Sequence, residues 1–131
     1  MSEPLSEEQS LMVDPRFGDA VRLFNAGEWY ACHDGFEELW HETQGPCRRG
    51  LQGILQIAVA HLHLERGNLR GATVLLGEGL GRLQAFEPDL FGLDLQQLRR
   101  VAALRLHALQ QGEGVASLPL PQLIPAAAPI R

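Results

Sequence analysis

Helix-length blocks of amphipathic sequence, each stopped by glycine or proline, constrain this chain more than any other feature. Gly27, Gly45-Pro46, Gly67, Pro88 and Gly112 interrupt the pattern. Glycine takes the left-handed conformation that ends a helix, and proline cannot continue one. Between the breaks, apolar residues recur every three or four positions: Phe17, Ala20, Val21 and Phe24 in one block, Ala72, Leu75, Leu76, Leu80 and Leu83 in another. The spacing predicts helices over about 15–26, 28–43, 47–66, 69–86 and 95–110. Asp14, Asn68 and Asp94 stand where N-caps are needed, and Pro15 takes a first helical position. No run alternates as a strand would. The expected architecture is all-α, a single compact bundle of about five helices with short connections over residues 14–112. Residues 1–13 are expected as a flexible N-terminal arm. Residues 113–131 are expected as a proline-rich tail, with Pro119, Pro121, Pro125 and Pro129, either disordered or extended along the bundle.

Composition narrows the function classes. The chain has 131 residues, 45% hydrophobic and 21% charged, enough for one sizeable core. Its net charge is −5 and no run of Lys or Arg occurs, which argues against nucleic acid and against an anionic membrane surface. Met1-Ser2-Glu3-Pro4 offers no apolar leader, so a cytoplasmic protein is expected. The longest apolar stretch, near Leu51–Leu64, is broken by Gln52, Gln56, His61 and His63 and is no membrane span; between Ile54 and Leu64 it is apolar almost all round and reads as a central helix touched by several neighbours. Cys32 and Cys47 are too few for a disulfide framework and are expected as reduced thiols. Cys32 reads as core filler. Cys47, beside Arg48 and Arg49 near a helix start, is the better candidate for a reactive thiol. The serines all lie outside the predicted helices, so nucleophilic catalysis has little support.

Chemistry concentrates in the second block. With His33 at the origin of a helical wheel, Trp40, Trp29, Phe36, Tyr30 and Glu37 all fall within about 60° of it. Asp34, Glu38, Glu42 and Glu28 spread over the opposite arc. His33 and Glu37 are therefore expected to face inward together, beside both tryptophans, while His41 leans toward solvent. A carboxylate four residues from an imidazole can orient an acid–base catalyst, or fix the tautomer of a core histidine. Both roles stay open. In the third block, Arg49, Gln52, Gln56 and His63 form a narrow polar line, within about 60° of one another. An arginine with two amides suits a carboxylate, a phosphate or a polar small molecule, and serves equally as a structural polar seam. If the two helices pack antiparallel, Glu37 and Arg49 could pair.

A metal needs three or four converging ligands. His33, Glu37, His61 and His63 are the candidates, but His61 and His63 diverge by about 160° on a helix. No strict ligand spacing occurs, so neither a metal nor another cofactor is expected. Gly71, Gly77, Gly79 and Gly81 are unusual inside a predicted helix, where each costs on the order of 1 kcal/mol relative to alanine. Close helix–helix approach is one reason to keep them.

The run Phe24-Asn25-x-Gly27-Glu28-Trp29-x-x-x-His33-Asp34-x-x-Glu37-x-x-Trp40 resembles the signature of the bacterial and archaeal DUF309 family. Arg49-Gly50-Leu51-Gln52-Gly53-Ile54-Leu55-Gln56-Ile57-Ala58 and Gly67-Asn68-x-x-Gly71-Ala72-x-x-Leu75-Leu76 continue the likeness, over about residues 17–86. Asp34 departs from it, since the family has Glu after the His. The resemblance implies a compact all-α bundle. It also implies that His33, Glu37, Trp40, Arg49, Gln52 and Gln56 belong to one site, without supplying an activity.

Two functions from different classes follow. In one, His33 and Glu37 are catalytic and Trp40, Arg49, Gln52 and Gln56 bind a small polar or anionic ligand at a buried site between the second and third helices. In the other, the same residues are a structural hydrogen-bond network in a helical protein-interaction module; the third and fourth helices resemble one tetratricopeptide-type hairpin, without a second copy. A homo-oligomer is a third, weaker option.

Overall fold

A computed structural model describes residues 3–86 and 88–127. The chain runs α1 (Glu7–Val13), α2 (Pro15–Asn25), α3 (Trp29–Glu42), α4 (Cys47–Glu65), α5 (Leu69–Leu83), a hairpin of β1 (Asp89–Leu90) and β2 (Leu93–Asp94), and α6 (Leu95–Gln110). The all-α expectation holds, with six helices rather than five among the described residues. The extra one, α1, lies in the stretch expected as an arm. Ser6 and Gln9 start it with a reciprocal capping box.

Two carboxylates tie α1 down. Glu7 accepts hydrogen bonds from the Gly45 and Cys47 amides, at 2.7 and 2.8 Å, so a distant residue caps the first turn of α4. Pro46, the N-cap of α4, supplies no side-chain bond itself. Glu8 accepts from the Phe91 amide at 2.7 Å. Phe91 and Gly92 form the two-residue turn of the hairpin, both with positive φ, 57° and 70°. Such turns match the twist of the strands but strain a non-glycine residue. Packing holds Phe91 there: its ring meets Phe17 edge-on at 5.3 Å.

α4 is the central helix, flanked by α3 and α5. Its Leu51, Ile54, Ile57 and Ala58 are wholly buried. Against α5 the two backbones nearly touch. A Cβ on Gly79 would lie 2.8 Å from the Gly53 carbonyl oxygen, and one on Gly53 would lie 2.8 Å from Leu83 Cγ. Close approach thus explains Gly79. It does not explain Gly81, which faces open space, or Gly77, whose nearest neighbour is Leu106 at 4.0 Å. α5 ends at Leu83 rather than at 86, because Arg99 of α6 donates to the Leu83 and Phe86 carbonyls and the chain turns away. Phe86 then covers Gly50 of α4.

The tail lies extended along the bundle as far as it is described. Arg105, only 5% exposed, donates from Nη1 to the Val115, Leu118 and Pro119 carbonyls. The Asn25 side chain exchanges two hydrogen bonds with the Leu123 backbone, and Leu123 is buried. The Asp94 and Ala126 amides complete the strip by donating to Ile124 and Gly92. Pro129 lies outside the described residues. Among the described residues, no helix is long and apolar enough to cross a membrane.

Two predictions follow from these contacts. Glu7→Gln removes a charge-assisted cap and should cost about 1–2 kcal/mol in urea unfolding, with faster hydrogen exchange at Gly45 and Cys47. Gly81→Ala should stabilise by about 1 kcal/mol through helix propensity, whereas Gly79→Ala should destabilise by about 1–3 kcal/mol because backbone has to move. Equal effects at the two glycines would contradict the close crossing.

Candidate functional site

The row of polar groups on α3 begins with His33. Its Nε2 lies 2.6 Å from Glu37 Oε2, and His41 Nε2 lies 3.4 Å from Glu37 Oε1. His33, Glu37 and His41 thus share one carboxylate along successive turns, as i, i+4 spacing dictates. The pair is not buried as expected. The His33 side chain is 25% exposed and that of Glu37 41%. The buried stripe of α3 runs through Trp29, Cys32, Phe36 and Leu39 instead, centred about 80° from His33 on the same wheel. Two tryptophans beside His33 drew the predicted centre toward it, yet Trp40 is only partly buried. His33 Nδ1 is itself buried and sits 3.4 Å from Asp34 Oδ1 without hydrogen-bond geometry.

On α4 the predicted seam divides. Arg49 is exposed, and it does not pair with Glu37. Arg49 and Gln52 line a hollow of about 470 Å³ between the start of α4 and the end of α5, together with Arg48, Arg82, Pro46 and Phe86. Gln56 points elsewhere and donates to Glu78 Oε2 at 2.9 Å. Trp40 reaches the hollow only through Arg48, whose guanidinium lies 3.9 Å from the centre of the indole and whose Nε donates to the Trp40 carbonyl at 3.4 Å. The six residues expected in one site therefore separate. His33 and Glu37 form a row on α3, Arg49 and Gln52 line the hollow, Trp40 braces it, and Gln56 ties α4 to α5.

Sequence reasoning missed Arg48 and Arg82. Arg48 was visible as the neighbour of Arg49, but Arg82 is brought there only by the α4–α5 crossing. The same crossing and the α1 anchor overturn the reading of Cys47. Its thiol is buried, with the Glu7 carboxylate beside it rather than the arginines in control. Burial first, then Glu7, pushes its pKa up to about 12. Cys32 is core, as expected, and burial raises it to about 12 as well. Neither is an activated nucleophile. Among the described residues no three His, Cys, Asp or Glu side chains gather to hold a metal ion.

Arg16 organises a separate surface network, bonding Asp14, Glu38 and Glu42. These bonds hold the Asp14 and Glu42 carboxyls below their usual range. They lace α2 to the outer face of α3, opposite the His33 row.

The model of the family DUF309, described as a domain of unknown function, matches residues 17–75. This is the family that the motif run resembles, and the match spans α2, α3, α4 and the first half of α5. It contains His33, Glu37, Trp40, Arg49, Gln52 and Gln56 but stops short of Arg82 and Phe86. No curated protein matches the chain.

His61 went unrecognised as a core residue. It is 2% exposed, its ring lies 4.7 Å from that of Trp29, and its Nδ1 bonds the Ile57 carbonyl at 2.8 Å. Burial lowers its pKa from 6.5 to about 4. The unfolded chain therefore takes up a proton near pH 6.5 and the folded chain only near pH 4. Stability falls as pH drops through that window, by at most on the order of 3 kcal/mol. His61→Phe should flatten this component of the pH–stability curve between pH 6.5 and 4. An unchanged slope in the variant would assign the acid sensitivity to other groups.

Proposed function

We propose that this protein binds a small anionic molecule in the hollow between α4 and α5. One arrangement carries the reading. Arg48, Arg49 and Gln52 of α4 and Arg82 of α5 line one space of about 470 Å³, and none of the described lining residues is acidic. Like charges gathered round one hollow repel. A bound anion converts that repulsion into charge-assisted hydrogen bonds. Arg48 is stacked and bonded to Trp40, so part of the site is ordered before any ligand arrives.

A second reading gives His33 an acid–base role, and one observation favours it. His33 Nδ1, Trp40 Nε1 and Gln56 Oε1 are buried without hydrogen-bond partners among the described residues. A polar molecule reaching the α3 row would satisfy His33 Nδ1. Glu37 would then orient the imidazole through Nε2 and leave Nδ1 for the substrate. The non-enzymatic alternative, a protein-interaction module, needs neither a small ligand nor proton transfer.

Calorimetric titration of the full chain with citrate and phosphate separates these readings. Binding in the hollow should weaken about tenfold or more in Arg49→Gln and in Arg82→Gln, a loss of about 1.5–3 kcal/mol for bonds to charged groups, with little change in Tm. His33→Asn should leave the affinity unchanged. Loss only in His33→Asn transfers the function to the α3 row, and no binding of either anion at millimolar concentration removes both ligand readings in favour of the interaction module.

A further inference from the structure

Resting on the anion-binding reading, we infer that the hollow takes a phosphoryl group carried on a flat, apolar body, that is, an aryl or heteroaryl phosphate ester. The number of donors sets the anion. Arg49 and Arg82 have no hydrogen-bond partner among the described residues, and Arg48 spends only Nε, on the Trp40 carbonyl. Three guanidinium groups thus belong to the lining of one space with most of their N–H groups free of partners among the described residues. A carboxylate has one charge and two oxygens, which a single arginine fork satisfies. A phosphate monoester has three peripheral oxygens and nearly two charges, enough to engage forks from both helices.

The helix start adds nothing to this anion site. Glu7 already occupies the Gly45 and Cys47 amides, so the side chains must do the holding. They come from two helices held at a fixed separation by the Gly53–Gly79 contact, and both Arg49 and Arg82 line the hollow between them. Part of the lining is apolar. Phe86, beyond the end of α5 and packed over Gly50, lines the hollow with Pro46 and offers a surface for a planar ring. Gln52 also lines the hollow and has an amide to donate to a bridging ester oxygen. A volume of about 470 Å³ accommodates a ring and its phosphate together.

The test compares phenyl phosphate, inorganic phosphate, benzoate and phenol by calorimetry and by NMR of the arginine side-chain N–H groups of the full chain. Phenyl phosphate should bind at least tenfold more tightly than benzoate and severalfold more tightly than inorganic phosphate. Arg49→Gln and Arg82→Gln should each weaken it tenfold or more. Phe86→Leu should erase its advantage over inorganic phosphate, and Arg70→Gln, an exposed arginine outside the hollow, should change nothing. Benzoate binding as well as phenyl phosphate, with the same arginine dependence, overturns the phosphoryl inference and leaves the anion site standing. Phenyl phosphate no tighter than inorganic phosphate overturns the role of the apolar lining. If no anion perturbs Arg49 or Arg82, the site and the inference fall together.

Discussion

The approach of α4 and α5 at Gly53 and Gly79 sets the geometry on which the rest of the molecule depends. With a Cβ absent on both helices, the Gly53 carbonyl and the Ile57 side chain lie where an alanine at position 79 would be. The two helices thus pack at backbone distance, and α4 becomes the shared wall of two layers, α3 on one side and α5 on the other. One consequence lies in the core: Leu83 seats against Gly53 and is wholly buried. The other lies at the surface. At that separation the ends of α4 and α5 leave a hollow instead of a filled seam, and the arginines of both helices meet there.

Charged side chains bonded to backbone groups close the ends of this bundle. Glu7 caps α4, Glu8 holds the strained turn at Phe91, Arg99 closes α5, and Arg105 gathers three carbonyls of the tail. Such bonds are stronger than neutral ones, and each satisfies backbone groups that helix ends and loops leave without partners. A bundle with short helices and little sheet can therefore keep an irregular tail and an N-terminal helix of seven residues in fixed positions. Burial makes Arg105 costly to charge, and its pKa lies below the ordinary arginine value for that reason.

The local rules in the sequence were legible. Asp14, Asn68 and Asp94 cap the helices they were expected to cap, and Gly27 and Gly67 end helices with φ of 74° and 75°. The short α1 was not read, because a helix of two turns has too little periodicity to show, and its anchors are bonds to residues about 40 and 80 positions away. The His33–Glu37 contact was readable from i, i+4 spacing, but its burial was not. A wheel weights tryptophan by hydrophobicity, whereas the helix turned Cys32, Phe36 and Leu39 to the core and left Trp40 at the rim to brace Arg48. Gln56 shared a wheel face with Arg49 and Gln52, yet a neighbour on α5 claimed it.

By itself the sequence determined where the capped helices α2, α5 and α6 begin, where glycine stops α2 and α4, and that His33 and Glu37 meet within one helix, because these depend on residues within a few positions of one another. The likeness of residues 17–75 to DUF309 belongs to the same level, since it too follows from order along the chain. Only the tertiary structure decided which helices touch, and at what distance. It decided that Glu7 rather than a local residue caps α4, that Cys47 is sealed beneath a carboxylate instead of activated by arginines, and that Arg82 joins Arg48 and Arg49. Each of these outcomes rests on groups far apart in sequence, and the order of residues along one helix carries no information about the helix that will pack against it.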